Sequence, residues 1–538
     1  MKKRTRPRPS RRKHETHVAP RSIPAATWRY LPLLVLVALS AFIAILRIHT
    51  YEEPFERDIT SHAVIAHEML AGHPLYSDLW DSKPPAIFVT YAIADALVGY
   101  GPSQVYFIGV VAAIITLVGA YWAGSAYGGR VGGLIAAAFW AVICNDLYLW
   151  ANQPNIEAGM NACLVWAFAL MVRADSNKLQ LPRWLGIGAL FALATLYKPV
   201  AITFPAVLGP FYLLVNLRDS QARKLALLHV CILLAVGAAA WGLTFAYFAV
   251  TGRFRIFYDT IFTYARYYAQ SRGGNFFANI LKGLTHKSFS LAMKSTPVLL
   301  VFTAAGIIFG LLKGSRRHWL LLLAFVLAAY LAVALPGRFY NHYYQLWLCP
   351  LVVGAGWAVA TIGGKDKPKL TPLRYIAGVV GFVILLGFVL PQYKFPPDEW
   401  SARKQGPQYI TVKEIATELD QLLKPDETLY VLGINPGFYF WPKRRPPTGV
   451  IWSPDMADNP LAEAHTKRAL ADLEREKPEI FVVNLLHAQV PPDHPVVKWA
   501  QANYMPLPGN PNRGTWYGRP FFRILIRRGG KLAARLGA

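Results

Sequence analysis

From residue 30 to residue 391 the chain alternates long apolar runs with short polar breaks. Uncharged stretches of about 15–26 residues occur at 30–46, 104–129, 131–145, 158–172, 184–197, 199–217, 225–250, 295–312, 319–337, 343–364 and 375–391, long enough to cross a hydrocarbon core of roughly 30 Å. The pattern predicts a polytopic α-helical membrane protein with about eleven spans. One more apolar stretch, 86–100 (AIFVTYAIADALVGY), is short and carries Asp95. Loop charge decides its path. If it does not cross, the compact basic loops holding Arg130; Arg173, Lys178 and Arg183; Arg218, Arg223 and Lys224; Lys313, Arg316 and Arg317; and Lys365, Lys367, Lys369 and Arg374 all share the side of the basic N-terminus. If it crosses, all of them face outward, against the positive-inside rule. We therefore read 86–100 as a helix lying at or dipping into the outer face.

This parity makes 1–28 a basic cytoplasmic tail and 29–391 a membrane domain whose first external loop runs over 48–102. A Pro-rich linker, 392–408, leads out of the last span. Beyond it the texture changes. A helical pattern at 409–423 is followed by a strand-like run at 428–433, a helix at 461–476, a strand at 479–484, a helix at 495–503 and a strand at 521–526. Alternating strand and helix signals predict a small extracytoplasmic α/β domain over 409–538.

Composition supports this frame. Hydrophobic residues make up 54% of the chain and charged residues only 16%, which is too apolar for an ordinary soluble protein. The net charge of +26 does not call for nucleic acid, because nine Lys/Arg lie in the first 28 positions and most others sit in short loops between spans. The basic start and apolar run resemble a signal peptide, but the run continues as AILRIHTYEEP with no small-x-small cleavage site, so an uncleaved first span is expected. Cys144, Cys163, Cys231 and Cys349 fall singly in or beside spans and read as small buried apolar residues.

The candidate chemistry gathers on the outer face. The segment 52–85 (EEPFERDITSHAVIAHEMLAGHPLYSDLWDSKPP) concentrates acids in a chain with 30 Asp+Glu against 56 Lys+Arg. Asp58 is the first candidate; it could also N-cap a helix from Ile59 to Ala71 that ends at Gly72. Glu157, in NQPNIE at the outer end of a span, is the second acid. Lys83 and Lys198 each precede a proline at the membrane face, where snorkelling lysines are ordinary. Arg338 and His342 lie in a short outer loop with no need for positive charge. Arg253, Arg255, Arg266 and Arg272 add further cations on the side the rule would not place them, which points to an anionic ligand such as a phosphate. Glu56, Tyr76, Asn155, Arg266 and Tyr343, in or beside these segments, are candidates for lining a substrate groove.

With these residues in place the chain resembles the GT-C membrane glycosyltransferases, in particular bacterial relatives of dolichyl-phosphate-mannose protein mannosyltransferases and of lipid A aminoarabinose transferases. The resemblance rests on Arg57-Asp58, AHEMLAGHPLYSDLWDSKPP (66–85), QPNIE (153–157), YKP (197–199) and GRFYNHYY (337–344), and covers about the first 350 residues. It implies a polyprenyl-phosphate sugar donor used at the outer face of the cytoplasmic membrane. It further implies that Asp58 activates the acceptor, that Lys83 attends the donor phosphate, that Glu157 is the second acidic position, and that Arg338 and His342 lie near the donor. Many such relatives carry Asp-Glu where this chain has Asp58-Ile59, and Glu56 is the nearby acid that could stand in.

The residues suit a single inverting displacement. Such a reaction needs a carboxylate to take the acceptor hydroxyl's proton, cations for the departing phosphate, and a site partly free of bulk water. A transporter or flippase of a lipid-linked sugar is the alternative from another class, and a non-catalytic envelope-assembly scaffold a third. The spans carry no Asp, Glu, Lys or Arg and show no repeat, which favours the enzyme. The expected partners are the lipid-linked donor, an envelope acceptor (lipid, glycan or protein) and membrane lipids. The residues single out no cofactor, and the carboxylates near Asp58 are compatible with a divalent cation held through oxygen ligands.

Overall fold

A computed structural model describes residues 25–271, 275–313, 315–362, 370–516 and 518–538. Residues 1–24 of the expected basic tail, Arg272, and the loop lysines Lys365, Lys367 and Lys369 lie outside the described residues. The apolar stretches read from the sequence each overlap a helix. Among the described residues, six helices are long and apolar enough to cross a membrane, and the pair Lys287–Ser295 and Pro297–Leu312, bent by 83°, makes up to seven. Ile156–Val172, Leu181–Tyr197 and Pro199–Val215 are shorter apolar helices.

The first six helices are α1 (Ala25–Ile48), α2 (Arg57–Leu70), α3 (Ala86–Val98), α4 (Pro102–Ile143), α5 (Ile156–Val172) and α6 (Leu181–Tyr197). The two stretches 104–129 and 131–145 are the halves of α4, which kinks at Gly128 and Gly129. Gly129 has φ +61° and ψ −159° there, a conformation that favours glycine and accounts for the break. Past the kink, α4 packs against the helix Leu348–Thr361. A Cβ on Gly356 would strike the carbonyl oxygen of Gly132, so small residues set how closely these backbones approach.

The stretch 86–100 forms α3, 13 residues long, about 20 Å at 1.5 Å per residue. Its acid, Asp95, is buried and meets His67 Nδ1 of α2 at 2.8 Å. Val89, Ile93 and Leu97 are exposed and recur every four residues, a single apolar face.

The start of α2 differs from expectation. The helix begins at Arg57, with Glu56 in the cap position making no side-chain cap bond. Asp58 is therefore not the N-cap. It sits in the first turn, where its carboxylate faces the positive end of the helix dipole. At the other end Gly72 follows the Ala71 cap with φ +94°, as the sequence suggests.

The linker is more than a tether. It holds a short helix, Pro397–Gln405, with Trp400 fully buried. Ser401 Oγ donates to Pro54 O at 2.9 Å, and Lys404 Nζ meets Glu53 Oε1 at 2.5 Å with both side chains buried. The C-terminal sheet that follows has strands β1 (Leu429–Leu432), β2 (Ile480–Asn484), β3 (Tyr504–Pro506), β4 (Asn512–Trp516) and β5 (Arg519–Arg527). β1 runs parallel to β2, starting from Leu429 opposite Ile480. β5 is antiparallel to β2, and both β3 and β4 pair with its other edge. Helices Gln408–Leu422, Ala462–Glu476 and Pro495–Asn503 fall where the sequence places them.

This sheet domain docks on the first loop through backbone. Trp80 N donates to Gly449 O at 2.9 Å, and Arg468 Nη2 donates to Asp78 O at 2.5 Å. A Cβ at Gly449 would strike Asp78 O, so glycine permits the approach. Cys144, Cys163 and Cys349 are buried as expected, whereas Cys231 is exposed on the helix Ser220–Val250.

Candidate active site

The first turn of α2, the Lys83 loop, the start of α5, the Lys198 junction, the segment around Tyr264 and Tyr268, and the loop at 338–343 meet around a cavity of ≈ 430 Å³. Asp58, Lys83, Asn155, Glu157, Lys198, Arg338, His342 and Tyr343 all line it. Residues far apart in sequence thus share one polar chamber.

Lys83 sits between two carboxylates. Its Nζ is 3.4 Å from Asp58 Oδ1 and 3.1 Å from Asp81 Oδ1. Asp81 is buried and accepts from Ser61 Oγ at 3.1 Å and from the backbone N of Lys83 at 3.2 Å. The electrostatic balance is clear in direction. Burial alone would raise the Asp58 carboxyl, but Lys83 and Arg57, then His62 and His342, outweigh it and hold Asp58 well below the usual carboxylate range. Burial likewise disfavours the Lys83 ammonium, yet Asp58 and Asp81 keep it protonated well above the usual lysine value.

A second lysine–carboxylate pair lies across the chamber. Lys198 Nζ meets Glu157 Oε1 at 2.9 Å and sits 3.4 Å from the centre of the Tyr343 ring. Glu157 is 1% exposed, and its Oε2 has no hydrogen-bond partner among the described residues. Asn155 fixes this helix start, its Oδ1 accepting from Ile156 N at 2.7 Å. Arg338 donates to Tyr268 O at 2.6 Å and to Ser271 Oγ at 2.8 Å, with its guanidinium 3.7 Å from the Tyr268 ring centre. The His342 ring stacks on Tyr340 with centroids 5.7 Å apart, and its Nδ1 is unpartnered among the described residues.

Three groove candidates are placed elsewhere. Tyr76 is fully buried against Phe248 and Phe257, and its hydroxyl donates to Lys83 O at 2.7 Å. It supports the Lys83 loop from behind. Arg266 is exposed and does not line the cavity; its helical register, Ala265–Gln270, carries Tyr268 inward instead. Glu56 points away from the chamber and accepts from Asn155 Nδ2 at 2.6 Å and Gln405 Nε2 at 2.8 Å. Burial, with Asp58 adding to it, pushes Glu56 up to about 8. It is a buried brace, so it does not stand in the cavity for the glutamate that many GT-C relatives carry after the aspartate.

The acids of 52–58 do not converge as a cation site would need. Glu52 faces Lys413 at 3.5 Å, Glu53 faces Lys404, and Glu56 faces two amides. Among the described residues no three His, Cys, Asp or Glu side chains are grouped to hold a metal.

The structure adds residues that the sequence reading passed over. Arg57 lines the cavity with its guanidinium 5.9 Å from the Trp452 ring centre. Asp81 stands two residues before Lys83 inside the same motif, where its spacing was a usable signal. Trp452, Asp455, His487 and Gln489 reach the chamber from the C-terminal domain, and no local signal marks them.

Comparison with known proteins agrees with this architecture. A sequence model of the family described as dolichyl-phosphate-mannose-protein mannosyltransferase matches residues 82–241, a span that includes Lys83, Glu157 and Lys198. No curated protein sequence matches the chain. Among solved structures, ArnT from Cupriavidus metallidurans bound to undecaprenyl phosphate is similar at TM-score 0.57 and 16% identity, covering 94% of this chain and 99% of that one. The archaeal oligosaccharyltransferase AglB from Archaeoglobus fulgidus, in complex with an inhibitory peptide and a dolichol-phosphate, gives 0.54 and 13% over 85% of this chain and 70% of its own. The arabinofuranosyltransferase AftD from Mycobacteria gives 0.52 and 13% over 94% of this chain and 40% of its own. In fold the chain is similar to these solved membrane glycosyltransferases, and over residues 82–241 its sequence matches the mannosyltransferase family model.

Proposed function

We propose that this protein moves a sugar from a polyprenyl-phosphate donor to a hydroxyl of an envelope acceptor, at the outer face of the cytoplasmic membrane. The N-terminus is then cytoplasmic, the chain crosses about eleven times, and the C-terminal domain is extracytoplasmic. Bound undecaprenyl phosphate in the ArnT structure and dolichol-phosphate in the AglB structure support the class of donor.

The observation that carries the reading is Lys83 held between Asp58 and Asp81 at the wall of a shared cavity. In the reaction the acceptor oxygen bonds to the anomeric carbon from one side as the bond to the phosphate oxygen breaks on the other. The acceptor proton goes to Asp58 and polyprenyl phosphate leaves. In the resting site Asp58 is a weak base because Lys83 stabilises its charge. A donor phosphate competing for Lys83 relieves that hold and makes Asp58 a better proton acceptor. Arg57 and Arg338, neither of which has a carboxylate within 4.0 Å among the described residues, supply further charge for the phosphate. Glu157, fixed by Lys198, offers its free Oε2 to position a substrate hydroxyl.

Membranes containing the protein, given a polyprenyl phosphate carrying a labelled sugar, should release polyprenyl phosphate and pass the label to an acceptor. Transbilayer movement of the lipid-linked sugar without sugar release would overturn the proposal.

A further inference from the structure

The cavity has two chemically different walls. On the membrane-domain side are the ions: Arg57, Asp58, Asp81, Lys83, Glu157, Lys198 and Arg338. The opposite wall comes from the C-terminal domain, which brings Trp452, Asp455, His487 and Gln489, with Tyr264 beside them.

This second wall is uncharged near neutrality. Asp455 is only 6% exposed, and its Oδ1 accepts the Tyr264 hydroxyl at 3.1 Å. Its Oδ2 has no hydrogen-bond partner among the described residues. Burial, with Asp81 adding to it, pushes Asp455 up to about 8, so it carries a proton to donate. Burial and then Arg57 lower His487, leaving a neutral imidazole. Gln489 stands on left-handed backbone at φ +54°, and its exposed amide has no partner among the described residues.

Trp452 is held in place rather than loosely packed. Its Nε1 donates to Ser61 Oγ at 3.2 Å, and Ser61 in turn donates to Asp81. The indole is thereby fixed to the same carboxylate that binds Lys83, and Lys83 Nζ lies 5.2 Å from its ring centre. Uncharged donors and acceptors around an aromatic ring suit a ligand with hydroxyls and C–H faces. A phosphate is better served by the other wall. The volume of ≈ 430 Å³ falls within the roughly 300–1,000 Å³ of small-molecule sites.

We propose that the C-terminal domain forms the subsite for the sugar ring being transferred, with Asp455 and Gln489 bonding its hydroxyls and Trp452 packing against its C–H face. The proposal rests on the glycosyltransferase reading and deepens it. The domain that the sequence leaves without a role then selects which sugar enters, while the membrane domain takes the phosphate and the proton.

The test uses the full-length protein in nanodiscs and two kinds of probe: undecaprenyl phosphate, and undecaprenyl phosphate carrying mannose, glucose or arabinose. Wild-type protein should bind at least one sugar-bearing lipid more tightly than undecaprenyl phosphate. Asp455→Leu should lose about tenfold of that gain, the effect of removing one buried hydrogen-bond partner, and the exposed Gln489→Ala about threefold, and both should keep the affinity for undecaprenyl phosphate. Asp455→Asn, which retains an uncharged hydrogen-bonding group, should keep most of the gain. Gln489 is exposed, so its variant tests the subsite even if Asp455→Leu does not fold. Variants that keep the full gain, or a wild type that binds all four lipids equally, would overturn the subsite and leave the phosphate reading standing. A wild type that binds none of the four would overturn the glycosyltransferase reading itself.

Discussion

Two lysines, each followed by proline, pair with carboxylates at the wall of one cavity, and they are not equivalent. Lys83 and Asp58 keep 23% and 22% of their side-chain surface exposed, and Lys83 is shared with Asp81. Among the described residues Lys198 meets one carboxylate, Glu157, which is 1% exposed. The first arrangement is open at its edge and over-supplied with negative charge, so an incoming phosphate can reach the lysine, and buried Asp81 still accepts from Ser61 Oγ and the Lys83 backbone N when it does. The second is closed, and breaking it leaves a charge without its partner in a poorly solvated place. The comparison teaches that similar motifs can do different work: the Lys83 pair is built to exchange partners, the Lys198 pair to hold Glu157 fixed at the cavity wall.

The largest effect that separates them is on rate. Asp58→Asn should lower turnover by about 10²–10⁴ while lowering the melting temperature less than Glu157→Ala does, as read by sugar transfer and thermal unfolding on the same preparation. Glu157→Ala should show the reverse emphasis, with a loss of stability on the order of 2 kcal/mol, below the roughly 3–5 kcal/mol of a fully buried pair because Lys198 keeps some solvent contact. Equal melting temperatures for the two variants would erase the distinction.

A pH profile sharpens it further. Asp58 has a depressed folded-state value, so its contribution to stability is present above the ordinary carboxylate range and is lost only as pH falls through that lower value. Neutral to mildly acidic buffers should therefore leave the wild type intact with respect to this group. In Lys83→Ala the first cause holding Asp58 down is gone while burial remains, so the acid limb of its residual activity should move to higher pH. An unmoved limb would show that Lys83 does not control Asp58. The smallest effect is expected from the brace behind α2. Gln405→Leu removes one of the two amides on Glu56 and should reduce kcat several-fold, about the worth of one hydrogen bond to an uncharged group, with little change in KM.

Much of this was legible in the chain because it is written in one dimension. Apolar runs of span length announce helices whatever they pack against, and the motif from Gly72 to Pro85 places Lys83 in a loop. The segments read from loop charge as outer carry Glu157, Lys198, Arg338 and His342, which the fold brings to one chamber. Other features depend on distance in space. β3 and β4 are three and five residues long and pair only with β5, so neither has a periodic pattern of its own. Tyr76 reads as a groove residue beside Lys83, yet left-handed backbone at φ +69° turns its ring into the core. Asp455 acquires its environment from Tyr264 and Asp81, hundreds of positions away, and only the docked domain shows it.

The central claim is that Asp58 takes the acceptor's proton as sugar leaves a polyprenyl phosphate. Mass spectrometry of envelope glycans and lipids tests it most directly, in a strain lacking this protein and in the same strain carrying wild type or Asp58→Asn at equal membrane levels. The account predicts that the deletion loses one sugar from an envelope component and accumulates the lipid-linked donor, that wild type reverses both, and that Asp58→Asn reverses neither. An Asp58→Asn strain with a fully restored envelope would contradict it.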